Sequence, residues 1–195
     1  WEGLPYHAPE PFRSRFVREP PQTYRSGDGT LSATAYLSHL NQNRIRLDAE
    51  DLRYLRDLYD ASIAYTDAQV GALLDGLYRR GRLRDAIVVV TADHGEEFGE
   101  HGVFGHANVY EPSLRIPMIV KFPRQEFAGA RVKHVVEQVD LMPTVLDVAG
   151  GKVPEGLDGK SLYRILKNEE KPKDYGYSQR FNFKSVREAE WKLIR

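Results

Sequence analysis

A stripe of mostly apolar positions runs from Leu52 through Leu55, Tyr59, Ile63, Thr66, Val70 and Leu73 to Leu77, at steps of three and four. That spacing is helical, and its length predicts one long helix laying a single face against a sheet. Asp48 stands where an N-cap belongs, and Glu50 and Asp51 put negative charge in the first turn. Arg79-Arg80-Gly81 supplies a basic last turn and a glycine stop. Asp60 and Asp67, beside the stripe, read as solvated or structurally paired acids.

The period then changes. Ile87-Val88-Val89-Val90 is a run of β-branched residues, the pattern of an interior parallel strand buried on both faces. A second strand is expected over Ile116–Phe122, its proline at the start where a missing donor is tolerated, and a third over Arg131–Val136. Asp140 is placed to cap a helix running to about Ala149, with Pro143 in its first turn and Gly150-Gly151 ending it. Before the long helix, Trp1–Gly29 is rich in Pro, Arg and Gly and reads as an extended segment, with a short helix over Thr30–Leu40. Lys167–Asp174 reads as a charged linker, and Tyr175–Arg195 carries aromatic and β-branched patches suited to a small antiparallel sheet.

Strands interleaved with helices place the chain in the α/β class. Its 195 residues suffice to bury roughly 70% of the unfolded surface in one core. With 28 basic and 28 acidic residues there is no global field to draw in nucleic acid or an anionic membrane. No apolar run approaches the ~20 residues of a membrane span. Cysteine is absent, which excludes disulfides and thiolate chemistry within these residues.

The candidate chemistry sits where the β-branched run stops, at Asp93-His94-Gly95. Ligands bind beyond the carboxyl ends of strands in open α/β sheets, and an adjacent carboxylate and imidazole can reach one metal ion. For an isolated Asp-His pair, a capping aspartate and a satisfied histidine would be the better reading. The strand before it and the polar cluster after it, Glu96, Glu97, Glu100, His101 and His106, favour a site. Those glutamates are expected to cap, solvate or support the histidines rather than to bind metal themselves.

TADHGEEFGEHG with the spaced His106, Tyr110-Glu111 and Leu114-Arg115-Ile116-Pro117 resembles the second half of the sulfatases, within the alkaline-phosphatase-like superfamily. The helix around Leu58–Asp67, a D-x-x-P-T segment at Asp140–Thr144, a D-G-x-S-L turn at Asp158–Leu162, the proline-rich Pro5–Phe12 and the late Trp191–Ile194 resemble it too, in family order. The resemblance implies an alkaline-phosphatase-like sheet sandwiched by helices, present in part, with a small C-terminal antiparallel sheet. Residues 1–166 would be the C-terminal part of the α/β domain, and 167–195 the linker and the start of the β region. The parent would hydrolyse a sulfate ester, carried on a small molecule or glycan.

The resemblance also assigns roles. Asp93 and His94 would ligate a divalent cation: calcium or magnesium, or, given the histidine nitrogen, manganese or zinc. His106 falls where many sulfatases carry a substrate-contacting lysine, so it would bind the ester and act as leaving-group acid. His101 would either flank the same anion or bond a loop carbonyl. Arg115 is expected to pin its loop through an ion pair with Glu111. The family's formylglycine arises in a C/S-x-P-S-R motif that these residues do not contain. The chain therefore reads as a C-terminal piece of a longer enzyme, inactive alone, with a natural short paralogue as the alternative. His94 also suits the superfamily's phosphodiester and phosphonate hydrolases or a phosphoryl-type transferase, and a non-catalytic binding module or pseudoenzyme stays open. Compartment (an exported or periplasmic parent among the options) and oligomeric state are not legible here.

Overall fold

The computed structural model describes residues 6–21 and 33–195. Residues 1–5 and 22–29 of the segment expected to be extended, and the start of the helix expected at Thr30, lie outside the described residues. The chain divides into two compact units, Trp1–Gly76 with Glu96–His106, and Leu77–Gly95 with Ala107–Arg195.

The first unit is built on helices α1 (Phe12–Phe16), α2 (Ala33–Asn41) and most of α3 (Ala49–Arg79), with the hairpin β2 (Glu97–Phe98) and β3 (Phe104–Gly105). Helix α1 interrupts the segment expected to be extended. Pro9 O accepts from the Phe12 and Arg13 N–H groups, and the Glu10 carboxylate accepts from Ser14 N, which satisfies first-turn donors. Helix α3 starts as its sequence predicts. Asp48 accepts from the N–H groups of Glu50 and Asp51, while Asp51 reaches back to Asp48 N, a reciprocal box.

The buried face of α3 differs from the expected stripe. Tyr54, Leu55, Leu58 and Ala61 are buried, whereas Ile63 is 51% and Leu73 62% exposed. The stripe drifts around the helix because α3 packs along 54, 55, 58 and 61, one position off the 52-55-59-63 row. Leu55 and Leu58, both fully buried, contribute about 2 kcal/mol each. Asn41 holds the hairpin, its Oδ1 accepting from Phe104 N at 2.7 Å and its Nδ2 donating to Phe104 O at 2.9 Å.

The second unit opens with the end of α3, where Gly81 at φ +67° and the bonds Gly81 N to Tyr78 O and Arg82 N to Leu77 O close the helix. Strand β1 (Val88–Thr91) pairs antiparallel with β4 (Met118–Lys121), Val88 opposite Lys121 and Thr91 opposite Met118. The expected parallel, doubly buried strand is thus an antiparallel one, with Val90 39% exposed. Among the described residues β4 is its one partner, and chain reversal between them sets the direction. A short helix α4 (Glu111–Leu114) lies between β1 and β4 in sequence. Lys121 sends its ammonium to the carbonyls of Leu83, Arg84 and Ala86, tying the turn before β1 to β4.

The expected strand at 131–136 is a single bridge, Val135 with Lys173. The backbone turns after it into a 3-10 segment, Gln138–Asp140, where Glu137 is already a capping residue. Helices α5 (Leu141–Val148) and α6 (Leu162–Leu166) follow, then a three-stranded antiparallel sheet, β5 (Gly176–Arg180), β6 (Phe183–Arg187) and β7 (Lys192–Ile194).

Asp140 does not cap α5 by its side chain. Its carboxylate, 1% exposed, instead accepts from the N–H groups of Glu137 and Lys160 and meets the Lys173 ammonium at 2.7 Å. Thr144 donates to Asp140 O and accepts from Leu162 N, so the D-x-x-P-T and D-G-x-S-L segments are bonded to each other. Gly159 is required there, since a Cβ would sit 2.0 Å from Val139 O. Ser161 caps α6 through Arg164 N.

Candidate active site

Thr91, last in β1, donates from its hydroxyl to Pro117 O at 2.8 Å, which fixes the strand end beside β4. Gly95 N donates to Ser113 O, and a Cβ on Gly95 would lie 1.9 Å from Pro112 O, so only glycine lets the chain pass helix α4 here. Between these anchors sit Asp93 and His94. Gln138 donates its side-chain amide to Ala92 O at 2.7 Å and to Asp93 O at 3.1 Å, holding the backbone of the pair.

The Asp93 side chain is 87% exposed, and its Oδ2 lies 3.5 Å from His94 Nε2. His94 Nδ1 faces Gly95 O at 2.9 Å. A carbonyl only accepts, so Nδ1 carries the proton and Nε2 is left facing a carboxylate. Two acceptors at that distance are stable together when a cation or a second ring proton lies between them. Ligands ~2.1 Å from a common ion lie within about 4 Å of one another, so this pair fits a divalent cation as part of its shell.

His101 and His106 belong to the other unit, each bonded to a glutamate of the same loop. His106 Nδ1 lies 3.1 Å from Glu96 Oε2, and Tyr6 donates its hydroxyl to Glu96 Oε1 at 2.6 Å. Tyr6 also packs edge-on against Tyr59 and tilted against Phe98. Burial, then the Glu96 charge and more weakly that of Asp60, pushes the Tyr59 phenol up. His101 Nδ1 lies 2.9 Å from Oε2 of Glu97, which is fully buried and whose Oε1 has no partner among the described residues. Burial pushes the Glu100 carboxyl up, but its own and the Phe98 N–H and the Arg56 guanidinium, 3.0 Å away, outweigh burial and hold it below the usual range.

The structure thus brings Asp93 to His94, Glu96 to His106 and Glu97 to His101. Glu96 and Glu97 each bond a histidine, whereas Glu100 accepts from Phe98 N and pairs with Arg56. Tyr6 and Gln138 were not anticipated: each acts across 90 and 45 or 46 positions of sequence, and neither carries a local signal beyond its place in a motif. The expected Arg115–Glu111 pair does not form among the described residues. Glu111 meets Arg187 at 2.9 Å and Lys192 at 3.5 Å, two cations directly opposite each other on β6 and β7. Asp93, His94 and Arg115 line a cleft of about 630 Å³ in the second unit.

Comparison with known proteins gives this geometry its setting. The family model described as Sulfatase matches residues 5–151. The N-acetylglucosamine-6-O-sulfatase of Bacteroides thetaiotaomicron is 37% identical over 153 residues, 78% of this chain and 25% of that protein. The phosphonate monoester hydrolase of Silicibacter pomeroyi superposes with a TM-score of 0.72 at 23% identity, covering 99% of this chain and 45% of that one. A structure of BT4656 in complex with its substrate D-glucosamine-2-N,6-O-disulfate superposes at 0.60 with 28% identity, covering 89% and 38%. The chain spans about a quarter of the length of the curated relatives it matches. Its architecture, partial as it is, is the alkaline-phosphatase-like fold of sulfatases and phosphonate hydrolases. By family model and by sequence, this chain belongs to the sulfatase family.

Proposed function

We propose that this chain is the C-terminal portion of a metal-dependent sulfuric ester hydrolase acting on a sulfated sugar or glycan. In this reading residues 1–166 complete the α/β domain, and 167–195 lead into a small β region. The observation that carries the reading is the Asp93–His94 donor pair, 3.5 Å apart at the end of β1 and pinned through its backbone by Gln138.

Asp93 and His94 would hold a divalent ion, which neutralises charge on the transferring sulfuryl group. His106 would contact the ester and hand a proton to the departing oxygen, and His101 would contact the anion. The nucleophile, a formylglycine in this reading, would come from outside these residues, so the chain alone would lack turnover. The substrate class follows the relatives, one named as an N-acetylglucosamine-6-O-sulfatase and one solved with a disulfated glucosamine.

The test is sulfate release from a 6-O-sulfated aminosugar by the longer protein that contains this chain. The reading expects metal-dependent turnover that Asp93→Ala abolishes and that the 195-residue chain alone lacks. Hydrolysis of a phosphonate monoester without sulfate release would move the assignment to the phosphonate hydrolases, a class that a nitrogen ligand at His94 also suits.

A further inference from the structure

Asp93 takes its position from its backbone. Its exposed carboxylate bonds locally, Oδ1 accepting from His94 N at 3.0 Å and Oδ2 facing His94 Nε2. A carboxylate held so locally points where the two peptide planes beside its own Cα send it, because those planes leave a residue only φ and ψ. Ala92 O belongs to the plane before Asp93, and Asp93 O to the plane after it. One group bonds both: the Gln138 side-chain amide donates to them at 2.7 and 3.1 Å. Its NH2 has two N–H donors, one for each carbonyl, whereas the amide oxygen in that place would face two acceptors. The second plane also carries His94 N, so the contact reaches both members of the pair.

Gln138 is itself firmly seated. It opens the 3-10 segment Gln138–Asp140, whose start is closed by a reciprocal box between Glu137 and Asp140. The Glu137 carboxylate meets the Lys173 ammonium at 2.5 Å and accepts from Tyr177 N, the second residue of β5, at 2.8 Å. Asp140 meets the same ammonium. Gly176 packs so closely over this segment that a Cβ there would lie 2.9 Å from Val135 Cγ1. Two neighbouring side chains therefore join β5 to the end of β1, Glu137 bonding the first and Gln138 the second. An exposed amide on a segment already fixed loses less freedom on bonding than one on a loose loop.

We propose that Gln138 is a positioning residue for the metal pair. It fixes φ and ψ of Asp93, and so the directions in which Asp93 and His94 present their donor atoms, acting through the backbone rather than on the ion. This rests on the metal reading above and deepens it.

The test is manganese titration of the longer protein that contains this chain, stripped of metal beforehand, by calorimetry and by electron paramagnetic resonance of the bound ion. Gln138→Met keeps the length of the side chain and removes both donors. Losing a group that orients a ligand weakens metal binding by about ten- to a hundredfold, and an exposed amide belongs near the lower end, about tenfold. The bound-ion spectrum should change with it, and turnover lost at low manganese should return at saturating manganese. The thermal midpoint should stay within about 2 °C, as for other exposed substitutions. Parental affinity and spectrum in Gln138→Met, or a loss that saturating manganese does not restore, would overturn the positioning role. Asp93→Asn separates the two readings. If it abolishes manganese binding while Gln138→Met leaves binding intact, the metal pair stands and the role of Gln138 fails. If Asp93→Asn itself leaves binding unchanged, the metal reading fails and this inference with it.

Discussion

Glu96 Oε2 stands 3.1 Å from His106 Nδ1, so the carboxylate fixes which ring nitrogen faces it. The Tyr6 hydroxyl on the second Glu96 oxygen locks the carboxylate in turn. This is the arrangement that orients a working imidazole, with a carboxylate selecting the tautomer.

For the longer protein it sets a first expectation. His106→Gln should cost on the order of 10²-fold in turnover of esters with poor, alkoxide-like leaving groups, and much less for activated aryl esters that depart unaided. Glu96→Gln should fall in the same direction by a smaller factor. Steady-state kinetics on the two ester types checks both, and equal losses on both would make His106 a loop-supporting residue.

The Asp93–His94 pair predicts weak but located metal binding by the isolated chain. Two ligands without the rest of a shell bind poorly, because affinity depends on a complete, oriented set. Manganese should broaden amide resonances around residues 92–95 and dialyse away readily, and Asp93→Asn with His94→Ala should remove the broadening. A stoichiometric ion retained against chelator would contradict this.

Lys173 predicts a stability change at high pH. Burial pushes its ammonium down, but the hydrogen bonds and charges of Asp140 and Glu137 outweigh burial and raise it above its ordinary 10.5. A raised folded pKa contributes stability that is complete below the unfolded value and is lost as pH climbs through the folded one. Urea midpoints should therefore hold through neutrality and fall above about pH 10.5. Lys173→Met should cost about 3 kcal/mol near neutrality, since it strands a buried carboxylate, and should flatten that alkaline limb.

Glu111 predicts a charge conflict in the C-terminal sheet. Arg187 and Lys192 are cross-strand neighbours, and like charges so placed repel unless something lies between them. Glu111→Gln should lower stability by roughly 1 kcal/mol, with the loss relieved by added salt. Amide hydrogen exchange should show β6 and β7 loosening first.

Two glycines predict opposite outcomes. Gly159→Ala would press a methyl onto Val139 O and should cost about 3 kcal/mol, because backbone cannot retreat as a flexible side chain can. Gly71→Ala, inside α3 with nothing within 4 Å of its Cβ, should gain about 0.5–1 kcal/mol. Thermal melts of the two variants compare them directly.

What the amino-acid sequence by itself determined is what local physics controls. The start of α3 at Asp48, its stop at Gly81, the β-branched run of β1 and the stop at Gly150-Gly151 depend on neighbours within about one turn of chain. The motif around Asp93 and His94, and the glutamates beside His101 and His106, were legible because contiguous residues carry them. Strand direction was not, since Val88–Thr91 has the same composition whether its neighbour runs parallel or antiparallel. Nor was the partner of Glu111, because Arg115 is near in sequence while Arg187 and Lys192 are near in space. Asp140 looked like a helix cap and became the centre of a buried ion pair with Lys173. Tertiary structure alone decided these points, because a side chain's charge and hydrogen-bonding capacity are properties of the residue, whereas the group that satisfies them is set by which distant segments pack together.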